Sequence, residues 1–219
     1  MNEPQTLSLI PDEALAHLEA EARALLARPG RRVLGIAGGP GVGKSTLATA
    51  LVARLGAGAA YLPMDGFHMK QAKLEALGTS ADKGMPHTFE GAAFAEFLAR
   101  AKAAIGPIHA PAYSRQIEDV IDDAIEIAAT ARLLVAEGNY LLLSSSPWWA
   151  VRPLLDRAVF VEVSRELVEA RLLKRHAEAG LFTEDRNRAH IARVDLPNYD
   201  LVTRSKGRAD VVIRLATES

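Results

Sequence analysis

The chain has 219 residues, 49% hydrophobic and 24% charged, so it holds ample apolar material for a core and is not intrinsically disordered. Lys plus Arg is 26 against 27 for Asp plus Glu, a formal net charge of -1, which gives no overall basic field to gather a nucleic-acid backbone. With no Cys, disulfides, Cys-ligated metals and thiol catalysis are excluded.

The opening MNEPQTLSLIPDEALAHLEA has no basic segment followed by a long apolar run, and nothing later approaches about 18 uninterrupted apolar residues. Neither a signal peptide nor a membrane span is expected, and the reading is a soluble, cytoplasmic protein. From Pro11 to Arg28 the spacing of Leu15, Leu18, Ala22, Leu25 and Leu26 predicts an amphipathic helix, stopped by Pro29-Gly30. Residues 31–37 hold the run Val33-Leu34-Gly35-Ile36-Ala37, suited to a buried strand, and a helix follows over 45–55. Further on, the pattern predicts a strand over 59–64, helices over 68–77 and 90–104, and strands over 125–130 and 132–137. A strand over 158–163, charged helices over 165–179 and 183–194, and a strand over 210–215 complete the order. Alternating short buried strands and helices predict a three-layer α/β fold in one domain, 1–219, with no repeat and no low-complexity linker.

Between the first buried run and its helix lies Gly38-Gly39-Pro40-Gly41-Val42-Gly43-Lys44-Ser45, which satisfies G-x-x-x-x-G-K-[ST] and is followed by Thr46. Glycines there let backbone N–H groups converge on phosphate oxygens, and the helix N-terminus adds to the positive field. Lys44 is placed to reach the outer phosphates of ATP, and the Ser45 hydroxyl to ligate Mg2+. No N-K-x-D or L-S-G-G-Q segment points to a guanine switch or a transporter ATPase.

Two acids end apolar runs: Asp65, in Pro63-Met64-Asp65-Gly66-Phe67-His68, and Glu137, in Val135-Ala136-Glu137-Gly138-Asn139. In an open parallel sheet, ligands bind beyond the strands' carboxyl ends. Either acid can therefore position or deprotonate an acceptor hydroxyl, or hold the Mg2+ shell. Most charges between Arg165 and Arg193 read as solvated helix faces, but Arg171 and Arg175 share one face and suit a lid closing over phosphates. Trp148-Trp149 reads as a helix start packing an aromatic on the sheet, and Lys206-Gly207-Arg208 as a basic turn.

The phosphate loop, D-G-F-H at 65–68, Lys83 to Glu90, Pro111-Ala112-Tyr113-Ser114-Arg115 and E-G-N-Y at 137–140 resemble, in this order, the uridine kinase, phosphoribulokinase and bacterial pantothenate kinase superfamily. Within it the likeness is greatest to the fructose-transport-system kinase-like branch. The resemblance continues through Pro147-Trp148, Arg171 to His176 and Asp195-Leu196-Pro197-Asn198, and so spans about 33–214.

It implies a five-stranded parallel sheet with a helical lid at about 165–195, and transfer of the ATP γ-phosphoryl group to a small-molecule hydroxyl of a nucleoside, sugar or pantothenate-like acceptor. Lys44, Asp65, Arg171 and Arg175 are the catalytic candidates, with Asp65 activating the acceptor. Ser45 and Glu137 are the Mg2+ candidates, and residues 38–46 the ATP cradle. His68, His87, Tyr113 and Arg115, together with Asp65 and Glu137, are the acceptor-binding candidates. This chain departs from uridine kinases in having Glu90 where they usually carry Asp, and from the pantothenate-type Y-S-H in having Tyr113-Ser114-Arg115. Relatives often associate, so a homodimer is an expectation; a nucleic-acid or membrane partner is not. An ATPase without acceptor and a noncatalytic nucleotide-binding module are the rival readings.

Overall fold

Residues 3–179 and 183–216 are described by a computed structural model. The run that follows Arg32 forms a strand, β2 (Arg32–Ala37), buried on both faces because helices cover the sheet on each side. Around it lie β1 (Gln5–Leu9), β3 (Ala59–Pro63), β6 (Leu133–Gly138), β7 (Arg157–Glu162) and β8 (Val211–Leu215), in the order β1-β8-β7-β2-β6-β3 with every pairing parallel. The remaining strands, β4 (Ile108–Ser114) and β5 (Asp119–Ile127), form a separate antiparallel hairpin.

The sheet has six strands where five were expected. Five of the predicted apolar runs all enter it, and the sixth member is β1. Its sequence QTLSL lies at a half-exposed edge, where one face needs only Leu7 and Leu9, so it lacks the continuous apolar run of a central strand. The strand expected at 125–130 ends at Ile127 and belongs to the hairpin, with exposed acids along β5.

One face of the sheet is covered by α1 (Pro11–Leu26) and α2 (Lys44–Leu55), which bury Leu18 and Leu51 against Leu34, Ile36, Val135 and Val159. The other face packs on α4 (Gly91–Ala103) and on Trp148, which is 1% exposed and donates its indole N–H to the Pro86 carbonyl at 3.2 Å. A short helix, α3 (Gln71–Leu77), follows the Asp65 turn. After β7 come α5 (Arg165–Ala179) and α6 (Glu184–His190). The helix expected over 183–194 divides: a π-helical turn at Ile191–Asp195 re-aims the chain before α7 (Leu196–Thr203), whose second residue is Pro197. Among the described residues no helix is long and apolar enough to cross a membrane.

Candidate active site

Three strands deliver the site, all from their carboxyl ends. In β6, Glu137 is in register with Ile36 of β2 on one side and Pro63 of β3 on the other, so its carboxylate stands at the sheet's centre. After β2 the glycine loop turns through Gly41 (φ +74°) and Gly43 (φ +98°), left-handed conformations that side-chain-bearing residues rarely adopt, and α2 begins at Lys44. After β3 a 3-10 turn, Met64–Phe67, carries Asp65. The hairpin is seated on that turn: a Cβ on Gly66 would stand 2.1 Å from the Pro111 carbonyl oxygen.

A cleft of about 560 Å³ joins these ends. Its loop side is lined by residues 40–46, with Glu137, Gly138 and Asn139 at its base. Arg171 and Arg175 of α5 border it, and Asp65, His68, Phe89, Arg115 and Asn198 also line it. Lys44 is buried, and its ammonium donates to the Gly39 carbonyl at 2.9 Å and to Asn139 Oδ1 at 2.8 Å. The exposed Ser45 donates its hydroxyl to Glu137 Oε1 at 3.1 Å, and Tyr61 donates to the same oxygen at 2.7 Å. Burial pushes the Glu137 carboxyl up and the Lys44 ammonium down from their ordinary values, each opposed by the other's charge. Burial, with the Glu137 charge next, also raises the Tyr61 phenol, so it remains a donor. Asp65, by contrast, makes no side-chain hydrogen bond among the described residues and opens onto the cleft.

The lid-like helix is packed on the loop. Leu172 stands 3.2 Å from where a Gly41 Cβ would lie, and Arg171 Nη1 donates to the Val42 carbonyl at 3.3 Å. Arg175 points along the same side, near Asp195, Arg115 and Asp65. His176 pairs with Asp195 at 3.1 Å, fastening α5 to the π turn.

Of the candidates from the sequence, Lys44, Ser45, Thr46, Asp65, His68, Arg115, Glu137, Arg171 and Arg175 meet in one cleft. Gly38 and Gly39 lie behind the loop residues that line it, Gly39 supplying the carbonyl that holds Lys44. His87 is outside: it is exposed and pairs with Asp82 at 3.4 Å. Tyr113 does not line the cleft but packs on His68 with ring centroids 4.8 Å apart, and burial pushes its phenol up to about 12. Lys206 and Arg208 lie elsewhere, bound to Glu162 and to the Leu142 and Leu143 carbonyls.

Sequence reasoning gave no role to Asn139, Tyr61, Asp195 or Asn198. Asn139 stands next to the strand-end acid, and Asp195 and Asn198 fall in a segment that entered only as part of the family resemblance; Tyr61 carried no local signal.

A glycine loop between a strand and a helix, with acids at the ends of the next two strands on one side, β6 and β3, and an arginine-bearing helix packed on the loop, is the arrangement of P-loop kinases. Residues 33–219 match the phosphoribulokinase / uridine kinase family, and the chain belongs to it. It is 33% identical over 193 residues to "Uncharacterized protein YggC" of Escherichia coli (strain K12), covering 86% of this chain and 79% of that one. It is 32% identical over 152 residues to the "ATP-dependent kinase-like protein notR'" of Aspergillus versicolor, covering 65% of this chain and 88% of that one. The crystal structure of a "putative fructose transport system kinase" from Silicibacter sp. TM1040 superposes with a TM-score of 0.83 at 32% identity, covering 90% of this chain and 98% of that one.

Proposed function

We propose that the protein transfers the γ-phosphoryl group of ATP to a hydroxyl of a small molecule, a nucleoside, sugar or pantothenate-like alcohol, with Asp65 as the group that receives the hydroxyl proton. The observation that carries this reading is the difference between the two acids. Glu137 is buried and already receives hydrogen bonds from Ser45 and Tyr61, whereas Asp65 faces the cleft with its lone pairs unclaimed among the described residues. A site that only hydrolysed or sensed ATP would not need a second acid open to the cleft.

The residues present suit a magnesium nucleotide. An exposed hydroxyl and a carboxylate 3.1 Å apart are hard oxygen donors of the kind Mg2+ prefers. No cluster of three or more His, Cys, Asp or Glu able to hold a metal occurs among the described residues, so a cation at Ser45 and Glu137 would take its other ligands from phosphate and water. When bound, Mg2+ neutralises charge on the phosphate oxygens.

Loop N–H groups and Lys44 hold the triphosphate, with Asn139 and the Gly39 carbonyl keeping the ammonium in place. The acceptor oxygen forms its bond to the γ-phosphorus as the bridging P–O bond breaks and its electron pair leaves on ADP. The hydroxyl proton passes to the Asp65 carboxylate. Arg171 and Arg175 face the charge spread over the equatorial oxygens, and α5 keeps water from the acceptor's place. Asp65→Asn should lower phosphoryl transfer by about 10²- to 10⁴-fold with little change in ATP binding. The check is product formation with Mg·ATP and a panel of nucleosides, sugars and pantothenate-like alcohols. ATP turnover that ignores both the panel and Asp65→Asn would mark an ATPase, and tight ATP binding without turnover a sensor.

A further inference from the structure

The Asp65 side of the cleft contains features that nucleotide binding does not use. Arg115 stands at the turn of the β4–β5 hairpin, exposed on the cleft, and makes no ion pair or hydrogen bond among the described residues. The hairpin is locked to the Asp65 turn through Pro111 and Gly66, so Arg115 moves with the acceptor acid rather than with the glycine loop. Arg175 makes no ion pair or hydrogen bond among the described residues; Asp195 is its strongest charged neighbour, with Arg115 and Asp65 also within Coulombic range. Arg115, exposed on the cleft with no ion pair among the described residues and with a second guanidinium nearby, forms a site for an anion.

Asn198 adds a second, independent feature. It is 3% exposed, lines the cleft, and donates its amide NH2 to the Gly84 carbonyl at 2.9 Å, which fixes the amide's orientation. Its Oδ1 is buried with no partner among the described residues, an acceptor that a ligand O–H or N–H would satisfy. The aromatic rings nearby are already engaged with one another. His68 stacks on Phe89 at 3.8 Å and packs on Tyr113 at 4.8 Å, while Phe89 meets Tyr140 edge-on at 5.3 Å. His68 and Phe89 thus line the cleft as part of an aromatic cluster packed within itself.

We infer, resting on the kinase reading above, that the acceptor is a small hydroxylated anion, its carboxylate or phosphate held by Arg115 and a neighbouring hydroxyl or N–H donated to Asn198 Oδ1, with the reacting hydroxyl at Asp65. A neutral nucleoside would leave Arg115 without an anionic partner. Arg175 then lies between two anions, the acceptor's and the γ-phosphate, and its charge serves both.

The test uses the whole chain loaded with Mg2+ and a nonhydrolysable ATP analogue, titrated calorimetrically with matched probes. These are glycerol, glycerate and glycerol phosphate; ribitol, ribonate and ribitol phosphate; and uridine. The expected result is that a charged member of at least one set binds about tenfold or more tightly than its neutral parent, with carboxylate and phosphate arms telling which anion is preferred. Arg115→Gln should remove that preference, Arg115→Lys should restore part of it, and Asn198→Leu should weaken the preferred probe by about tenfold, the analogue's own affinity changing less than about twofold throughout. Neutral and charged members binding alike, uridine binding best, or no probe whose binding depends on Arg115 would each overturn the inference. Product formation with Mg·ATP separates the two readings. Arg115-dependent anion binding without transfer removes the kinase reading and leaves the anion site. Phosphorylation of a neutral member by wild type and Arg115→Gln alike does the reverse.

Discussion

Asp65 and His68 are three residues apart and both line the cleft, yet burial weighs on the His68 imidazole. Burial, the largest influence, pulls the His68 imidazole down to about 4 from 6.5, against the opposing pull of Asp65. Folded His68 is therefore neutral over a range in which the unfolded chain takes up a proton. The contribution to stability is fully present above pH 6.5 and is lost as the pH falls toward 4, amounting to up to about 3 kcal/mol over that window. Replacing His68 with Phe should make the loss of stability between pH 7 and pH 4.5 smaller by about 2 kcal/mol, read from urea unfolding at both pH values. An unchanged pH dependence in the variant would mean that His68 titrates normally in the fold.

Among the elements, the β4–β5 hairpin and the Asp65 turn act as one body because Gly66 has no side chain to hold them apart. A methyl group at Gly66 meets backbone, the Pro111 carbonyl, rather than a side chain that could swing away. Gly66→Ala should therefore destabilise the protein by about 1–3 kcal/mol and lower transfer more than it lowers ATP binding, since the hairpin, not the glycine loop, is displaced. Thermal unfolding together with nucleotide titration measures both effects. The hairpin is also where the sequence was least informative about structure. Along β5 the acids Asp122, Asp123 and Glu126 and the turn at Arg115 to Glu118 hide any alternation, and its partner strand contains Pro111. Five of the six strands of the parallel sheet were legible because burial forces unbroken apolar runs, as in Leu133 to Ala136, while the half-exposed edge strand β1 was not. The loop was legible because phosphate binding needs glycine at fixed spacing. Asn198 and Asp195 were legible only as part of a family likeness and not as cleft residues, since the π turn that brings them there looks like continuous helix in the pattern of side chains.

Over the whole molecule, the two sheet edges differ in how they are made. β3 follows β2 after one helix, but β1 pairs only with β8, Leu7 opposite Ile213 and Leu9 opposite Leu215, and the Ala216 N–H closes onto the Leu9 carbonyl. β8 itself is buried at Val211, Val212 and Ile213. Ending the chain after residue 209 should thus remove one strand and leave a second without a partner. The expected product is insoluble, or soluble with a melting temperature lower by well over about 4 °C, the shift that roughly 1 kcal/mol gives a domain of this size. A truncated chain with wild-type melting would mean that β1 is held by α1 alone.

The same pairing bears on the order in which the protein can be made. Leu215 and Pro11 both border the phosphate-loop end of the cleft, so the first and last strands meet beside the site. During synthesis the glycine loop, the strand-end acids and the lid helix all emerge from the ribosome while β1 still lacks its neighbour. The wall beside the phosphate loop can close only after residues 211–215 appear. A nascent chain stalled before that point would carry all the cleft's candidate residues in sequence and yet have an open sheet edge, available to pair with another chain.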